Sequence, residues 1–287
     1  MLDLNAYKSE TKPTWCPGCG DFAVLSSLMK ATQALQLEPW NIFIASGIGC
    51  SSNFPHFLSA FGFHGIHGRS LPVASGAKLA NPELTVIAAG GDGDGFGIGA
   101  GHFVHTMRRN LDITYIVMDN QIYGLTKGQL SPTSRRGLTS VSSTHGSMEA
   151  PVNPLAYVLG YGAEFVAQGT PADMSGLAQI IEEGIRHPGF AFINVQSPCV
   201  TYGMEDQQLK AQKASMQTLA SINHDPSNIL AAMDLAHQYG EKLYTGVLFK
   251  KPTPSPTFEG QAHARHQAMQ AGTRPRAAVM DLFKLKK

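Results

Sequence analysis

Residues 84–101 read LTVIAAGGDGDGFGIGAG, and this junction constrains the fold more than any other part of the chain. An apolar run of strand length, Thr85–Ala89, enters the turn Gly90-Gly91-Asp92-Gly93-Asp94-Gly95, and a helical pattern follows from Ile98 to Arg109. A strand that feeds a glycine turn and then a helix begins a βαβ unit. Glycines there let the backbone approach a ligand, and the free N–H groups of the helix N-terminus suit an anion. Two carboxylates beside a pyrophosphate repel it unless a cation lies between. Asp92 and Asp94 therefore point to Mg²⁺ bridging to a diphosphate through hard oxygen ligands. The chain has no GxxxxGK[ST] phosphate loop.

The rest of the chain repeats the strand–helix alternation. Ile42–Ala45, Ile113–Met118 and Phe190–Val195 are short runs of buried-strand character, and Glu164–Ala167 is a weaker one. Between them, Asp21 opens a helix to about Leu37, and Pro171-Ala172-Asp173 opens another that His187-Pro188-Gly189 ends. The pattern predicts an α/β fold, a mostly parallel sheet flanked by helices. Thr126–Asn153 is a long polar connection of the kind that carries function. After Gln207 the character changes to one helix, Asp225–Tyr239, a Pro-rich linker, Lys250–Pro256, and a basic tail with Arg274, Arg276, Lys284, Lys286 and Lys287. Two regions are expected: 1–207, and a C-terminal extension, 208–287, packed on a partner subunit.

Composition narrows the classes. Of 287 residues, 43% are hydrophobic and only 15% charged, against about 25% charged in an average domain. A net charge of +1 with no basic run before the tail argues against nucleic acid. No apolar stretch approaches the roughly 20 residues of a membrane span, and Met1–Lys12 lacks the apolar core of a signal peptide. A cytoplasmic protein is expected, with its cysteines in a reducing compartment.

Ile113–Met118 ends in Asp119-Asn120-Gln121-Ile122-Tyr123-Gly124, which places Asn120 28 residues after Asp92. In a parallel sheet the two strand ends share one edge, where ligands bind. GDG followed at this distance by an Asn at a strand end resembles the thiamine diphosphate motif. That resemblance implies Mg²⁺ held by Asp92, Asn120 and the backbone carbonyl of Ile122.

The four cysteines fall at chain turns. Cys16 and Cys19 form a CxxC in Trp15-Cys-Pro-Gly-Cys-Gly20, Cys50 follows Gly47-Ile48-Gly49 just past one strand, and Cys199 follows Ser197-Pro198 just past another. Four thiolates near one edge suit a soft-metal or cluster site. Spacing alone leaves structural zinc, a CxxC redox pair and plain core thiols open.

CPGCG, GIGC, HGR, GDGDGFGIG and DNQIYGLTKGQ occur in this order. Over about residues 10–205 the chain resembles the β subunits of the 2-oxoacid:ferredoxin oxidoreductases, most closely the 2-oxoglutarate type. The resemblance implies a thiamine diphosphate-binding fold and one [4Fe–4S] cluster on Cys16, Cys19, Cys50 and Cys199. It implies a cofactor site of Ile48, Gly49, Cys50, His67, Gly91, Asp92, Gly93, Asp94, Asn120, Ile122, Tyr123, Gly124 and Leu125, with His67 as a polar contact. The implied reaction is reversible, CoA-dependent oxidative decarboxylation of a 2-oxoacid, with electrons leaving for ferredoxin. It implies an α (or fused γα) partner that supplies the glutamate for the cofactor ring, and a dimer of αβ heterodimers. Lys127, in TKGQ, is expected to pair with the distal carboxylate of 2-oxoglutarate. The rival readings are a pyruvate or other 2-oxoacid enzyme, and a non-catalytic electron-transfer subunit binding an ordinary nucleotide.

Overall fold

The computed structural model describes residues 1–203 and 208–271. Its helices are α1 (Asp21–Ala34), α2 (Phe54–Phe57), α3 (Ser70–Ala80), α4 (Ala100–Arg109), α5 (Pro154–Gly160), α6 (Met174–Arg186), α7 (Leu209–Ser215), α8 (Ile229–Ala236) and α9 (Phe258–Ala271). Its strands are β1 (Ile42–Ser46), β2 (Phe61–His64), β3 (Thr85–Gly91), β4 (Ile113–Asp119), β5 (Ile122–Tyr123), β6 (Gln129–Leu130), β7 (Phe165–Gly169), β8 (Ala191–Gln196), β9 (Met216–Thr218) and β10 (Leu243–Lys250).

Eight strands form one sheet in the order β2-β1-β3-β4-β8-β7-β10-β9. Every pairing within it is parallel except β10 against β7. The five expected strands are its centre. They read as continuous apolar runs because both faces are covered, and all seven residues of β4 are buried. One face carries Leu28 of α1 and Ile181 of α6 over Ile44, Ile87, Ile116 and Ile193. The other carries Phe103 of α4 and Val158 of α5 over Val86, Tyr115, Val117 and Phe192.

The parallel register brings the ends of β1, β3, β4 and β8 to one edge: Ser46 lies beside Ala89, Gly91 beside Met118 and Asp119 beside Gln196. The expected helix at Ile98 is refined by the glycines. Gly93–Ile98 makes a widened helical turn in which Gly97 leaves helical geometry, and regular helix begins at Ala100.

Residues 209–250 extend the sheet beyond β7. The expected helix Asp225–Tyr239 shortens to α8. Asn228 caps it by accepting from the N–H groups of Leu230 and Ala231, and so ends the turn that Asp225 and Pro226 open. The boundary at 207 and the basic tail Arg274–Lys287 lie outside the described residues.

Candidate functional site

Asp92 stands at the carboxyl end of β3 and is 2% exposed. Its Oδ1 faces the N–H of Asn120 at 3.4 Å, and its Oδ2 accepts from Thr133 Oγ1 at 2.6 Å and from the hydroxyl of Ser131. Burial raises its pKa. Asn120 Oδ1 accepts from the N–H of Ile122 at 3.0 Å, a tight turn made possible by Gln121 at φ +61°. Gly93 must be glycine here, because a Cβ would lie 2.2 Å from the Tyr123 ring.

Asp94 points away from that pair. Its Oδ1 accepts from the N–H of Ile48 at 2.9 Å, the N–H of Gly68 at 2.7 Å and Nδ1 of His67 at 2.7 Å. Gly68 permits this at φ +72°, where an added Cβ would also meet Gly99 N at 2.7 Å. One carboxyl oxygen thus binds the loop after β1 and the loop before α3 to the glycine turn.

Ile48, His67, Asp92, Gly93, Asp94, Asn120 and Ile122 line a cavity of about 110 Å³, together with Gly49, Cys50, Ser51, Gly91, Tyr123, Gly124, Leu125 and Thr126. Every residue expected at the cofactor lines it; Ser51 and Thr126 are additions. Lys127 does not. It sits exposed at the tip of the β5–β6 hairpin beside Thr126, at φ +77°.

The cysteines gather beside the cavity. A Cβ on Gly124 would lie 3.6 Å from Cys199 Sγ, 3.8 Å from Cys50 Sγ and 3.9 Å from Asn120 Nδ2. Cys19 feels the charges of Cys50 and Cys199, and Cys50 those of Cys199 and Cys16. Burial, then the nearby Asp21, raises the Cys19 thiol and pushes Cys50 up to about 11. Trp15 Nε1 donates to the Cys50 carbonyl at 2.6 Å, and Thr201 Oγ1 donates to Cys16 Sγ at 3.4 Å. Among the described residues no three His, Cys, Asp or Glu side chains converge on one metal ion.

The family described as "Thiamine pyrophosphate enzyme, C-terminal TPP binding domain" matches residues 47–195, and the family of C-terminal regions of the pyruvate ferredoxin oxidoreductase beta subunit matches 199–267. The 2-oxoacid:ferredoxin oxidoreductase 1 subunit beta of Aeropyrum pernix is 40% identical over 91% of this chain and 85% of its own. The chain belongs to the β subunits of the 2-oxoacid:ferredoxin oxidoreductases. The 2-oxoglutarate synthase subunit KorB of Methanothermobacter thermautotrophicus is 41% identical over 84% of this chain and 83% of its own. A solved structure of 2-oxoglutarate:ferredoxin oxidoreductase from Magnetococcus marinus, with 2-oxoglutarate, coenzyme A and succinyl-CoA bound, superposes with a TM-score of 0.92 at 38% identity. It covers 99% of this chain and 97% of that one.

An oxidoreductase β subunit that binds thiamine diphosphate needs a hard-cation site next to an anion cradle. The buried Asp92, the Asn120 amide and the bare glycine backbone fit that need. Sequence reasoning missed the shell behind them. Asp119 is 2% exposed and pushed up to about 7 by burial and then by Asp92. It accepts from Thr133 Oγ1 at 3.1 Å, Gln196 Nε2 at 3.2 Å, Asn194 Nδ2 at 3.4 Å and the Tyr239 hydroxyl. Asp119 was visible in the sequence as an acid ending an apolar strand. Ser131, Thr133 and Tyr239 carried no such signal, because the long loop and the C-terminal turn bring them in. Among the described residues no helix is long and apolar enough to cross a membrane.

Proposed function

We propose that the chain is the catalytic β subunit of a 2-oxoglutarate:ferredoxin oxidoreductase, active with its α subunit, which converts 2-oxoglutarate and CoA reversibly to succinyl-CoA and CO₂. The observation that carries the reading is Gly124, where a single Cβ position would lie within 4 Å of the Asn120 amide and of the Cys50 and Cys199 thiols. Cys50 itself lines the cavity, so the cofactor site and the cysteine set meet, which suits electron transfer over a short path. The KorB names among the relatives and the substrates bound in the Magnetococcus marinus enzyme support 2-oxoglutarate.

In this reading Asp92, Asn120 and the Ile122 carbonyl hold Mg²⁺. Cys16, Cys19, Cys50 and Cys199 hold one [4Fe–4S] cluster, and Cys19 and Cys50 lose their protons to do so. When bound, thiamine diphosphate supplies the carbanion chemistry of decarboxylation and the cluster accepts the electrons singly. The chain's own part is to bind and orient. The glycine turn admits the diphosphate, His67 offers a polar contact beside it, and Lys127 meets the distal carboxylate. The partners are the α subunit and ferredoxin, in a dimer of αβ heterodimers in the cytoplasm.

Anaerobic purification of the αβ complex with iron, sulfide, zinc and thiamine diphosphate analysis tests this reading. Four irons and one thiamine diphosphate per β chain, with CoA-dependent ferredoxin reduction by 2-oxoglutarate, are expected. One zinc without iron, or no thiamine diphosphate, overturns it.

A further inference from the structure

We propose that Tyr239 is a positioning residue for Asp92, acting through Asp119 and Thr133, so that the C-terminal segment helps set how tightly the site holds Mg²⁺. The proposal rests on the reading of Asp92 as a metal ligand.

The argument begins with one hydroxyl. Thr133 Oγ1 stands 2.6 Å from Asp92 Oδ2 and 3.1 Å from Asp119 Oδ1. A hydroxyl has one hydrogen to donate, and two acidic groups compete for it. The outcome depends on what else serves Asp119. Its Oδ2 receives the Tyr239 hydroxyl, Gln196 Nε2 at 3.2 Å and Asn194 Nδ2 at 3.4 Å. The two amide contacts are long for N–H···O bonds, so Tyr239 is the principal donor. With Asp119 served, the Thr133 hydrogen stays on Asp92. There it joins the Ser131 hydroxyl on Oδ2 and fixes the carboxylate plane. Without the Tyr239 donor, Asp119 draws the Thr133 hydrogen, and Asp92 keeps only Ser131 on that oxygen.

Tyr239 lies 120 residues from Asp119 in the chain, just past α8. Two bonds hold its turn in place: Asn153 Nδ2 donates to the Ala236 carbonyl at 2.7 Å, and Tyr244 Oη donates to Gln238 Oε1 at 3.0 Å. The donor is therefore presented by a fixed element rather than a free loop. This gives the segment after residue 208 a part in the site.

Groups that orient metal ligands are worth roughly 10- to 100-fold in metal affinity when removed. The test uses the anaerobic αβ complex stripped of thiamine diphosphate and Mg²⁺ but keeping its iron, with Mg²⁺ titrated at fixed thiamine diphosphate and binding followed by calorimetry. Tyr239→Phe is expected to raise the Mg²⁺ requirement roughly 10-fold or more while iron content and the melting temperature of the stripped complex hold. Thr133→Val is expected to weaken Mg²⁺ as well, Thr133→Ser to restore it, and the Tyr239→Phe/Thr133→Val pair to be no weaker than Thr133→Val alone. Unchanged Mg²⁺ affinity in Tyr239→Phe, or full additivity in the pair, overturns the proposal. Asp92→Ala separates the two levels. If it keeps Mg²⁺-dependent binding, the ligand assignment itself falls. If it loses binding while Tyr239→Phe does not, only the Tyr239 proposal falls.

Discussion

His67 donates through Nδ1 to Asp94 Oδ1 across 2.7 Å, onto an oxygen that already receives the N–H groups of Ile48 and Gly68. An acidic oxygen so placed is an acceptor, so Nδ1 carries the hydrogen and Nε2 is left as the ring's other polar atom. Asp94→Ala should therefore do more than remove a charge. It strands two backbone N–H groups and frees the imidazole, and each unmade bond costs about 1–3 kcal/mol. The expected outcome is a lower melting temperature and a large loss of thiamine diphosphate affinity, with iron retained. A variant that melts and binds like the parent would show that Asp94 does not hold the two loops.

Cys199→Ala should abolish or severely degrade iron–sulfur absorbance, because a [4Fe–4S] cluster takes four thiolates. Thiamine diphosphate binding should persist, since Asp92 and Asn120 are untouched. Full iron occupancy in this variant would remove Cys199 from the ligand set.

The sheet's centre was legible because strands buried on both faces must be apolar throughout, as β4 is. Its edges were not. All four residues of β2, Phe61–His64, are exposed, so the burial that makes a strand readable is missing. In β10, Gly246 at φ +129° and an irregular register at Val247 and Phe249 break the alternation. The glycine turn, Asn120 and the cysteines were legible because their chemistry restricts residue type and spacing. The hydroxyls of Ser131 and Thr133 were not, because any polar loop offers hydroxyls and only the folded path selects these two.

Lys78 offers a test of stability away from the site. Its Nζ pairs with Asp112 Oδ2 at 2.7 Å and donates to the Leu84 carbonyl at 2.8 Å. The lysine side chain is 5% exposed and the aspartate 39%. Removing either partner leaves the other, but only the lysine is left out of water. Asp112→Ala should cost about 3 kcal/mol, and Lys78→Met about 1 kcal/mol, since Asp112 can turn to solvent. Chemical denaturation of both variants measures the difference, and equal losses would contradict it.

His187 sets a pH dependence. It is 1% exposed, lies against the Phe165 ring at 5.5 Å between centroids, and among the described residues neither ring nitrogen has a hydrogen-bond partner. Burial lowers its pKa, and Lys250 adds to the shift while Glu164 and Asp112 oppose it. The folded state then binds its proton less readily than the unfolded chain, whose His titrates near about 6.5. Stability from this group is complete above that pH and is lost as pH falls through it toward the folded value. His187→Phe should flatten the fall in melting temperature between about pH 7 and 5. An unchanged slope would place the acid sensitivity elsewhere.

In the proposed function, Lys127 is the residue that selects the substrate. Its backbone N–H donates to the Gly124 carbonyl at 3.1 Å, and the N–H of Gly128 to the Tyr123 carbonyl at 2.8 Å. These bonds fix the hairpin tip over the cavity, with the side chain exposed. Lys127 does not line the cavity, so it cannot serve the reacting carbon directly. A long side chain at its rim can reach a second carboxylate two methylenes further out. Pyruvate has none. Lys127→Ala should lower kcat/KM for 2-oxoglutarate by about 1 kcal/mol in transition-state terms, the upper range for an exposed ion pair, and for pyruvate far less. Lys127→Arg should keep much of the preference, because the charge remains. If both substrates fall equally, or neither changes, the selector lies elsewhere and the preference for 2-oxoglutarate loses its residue.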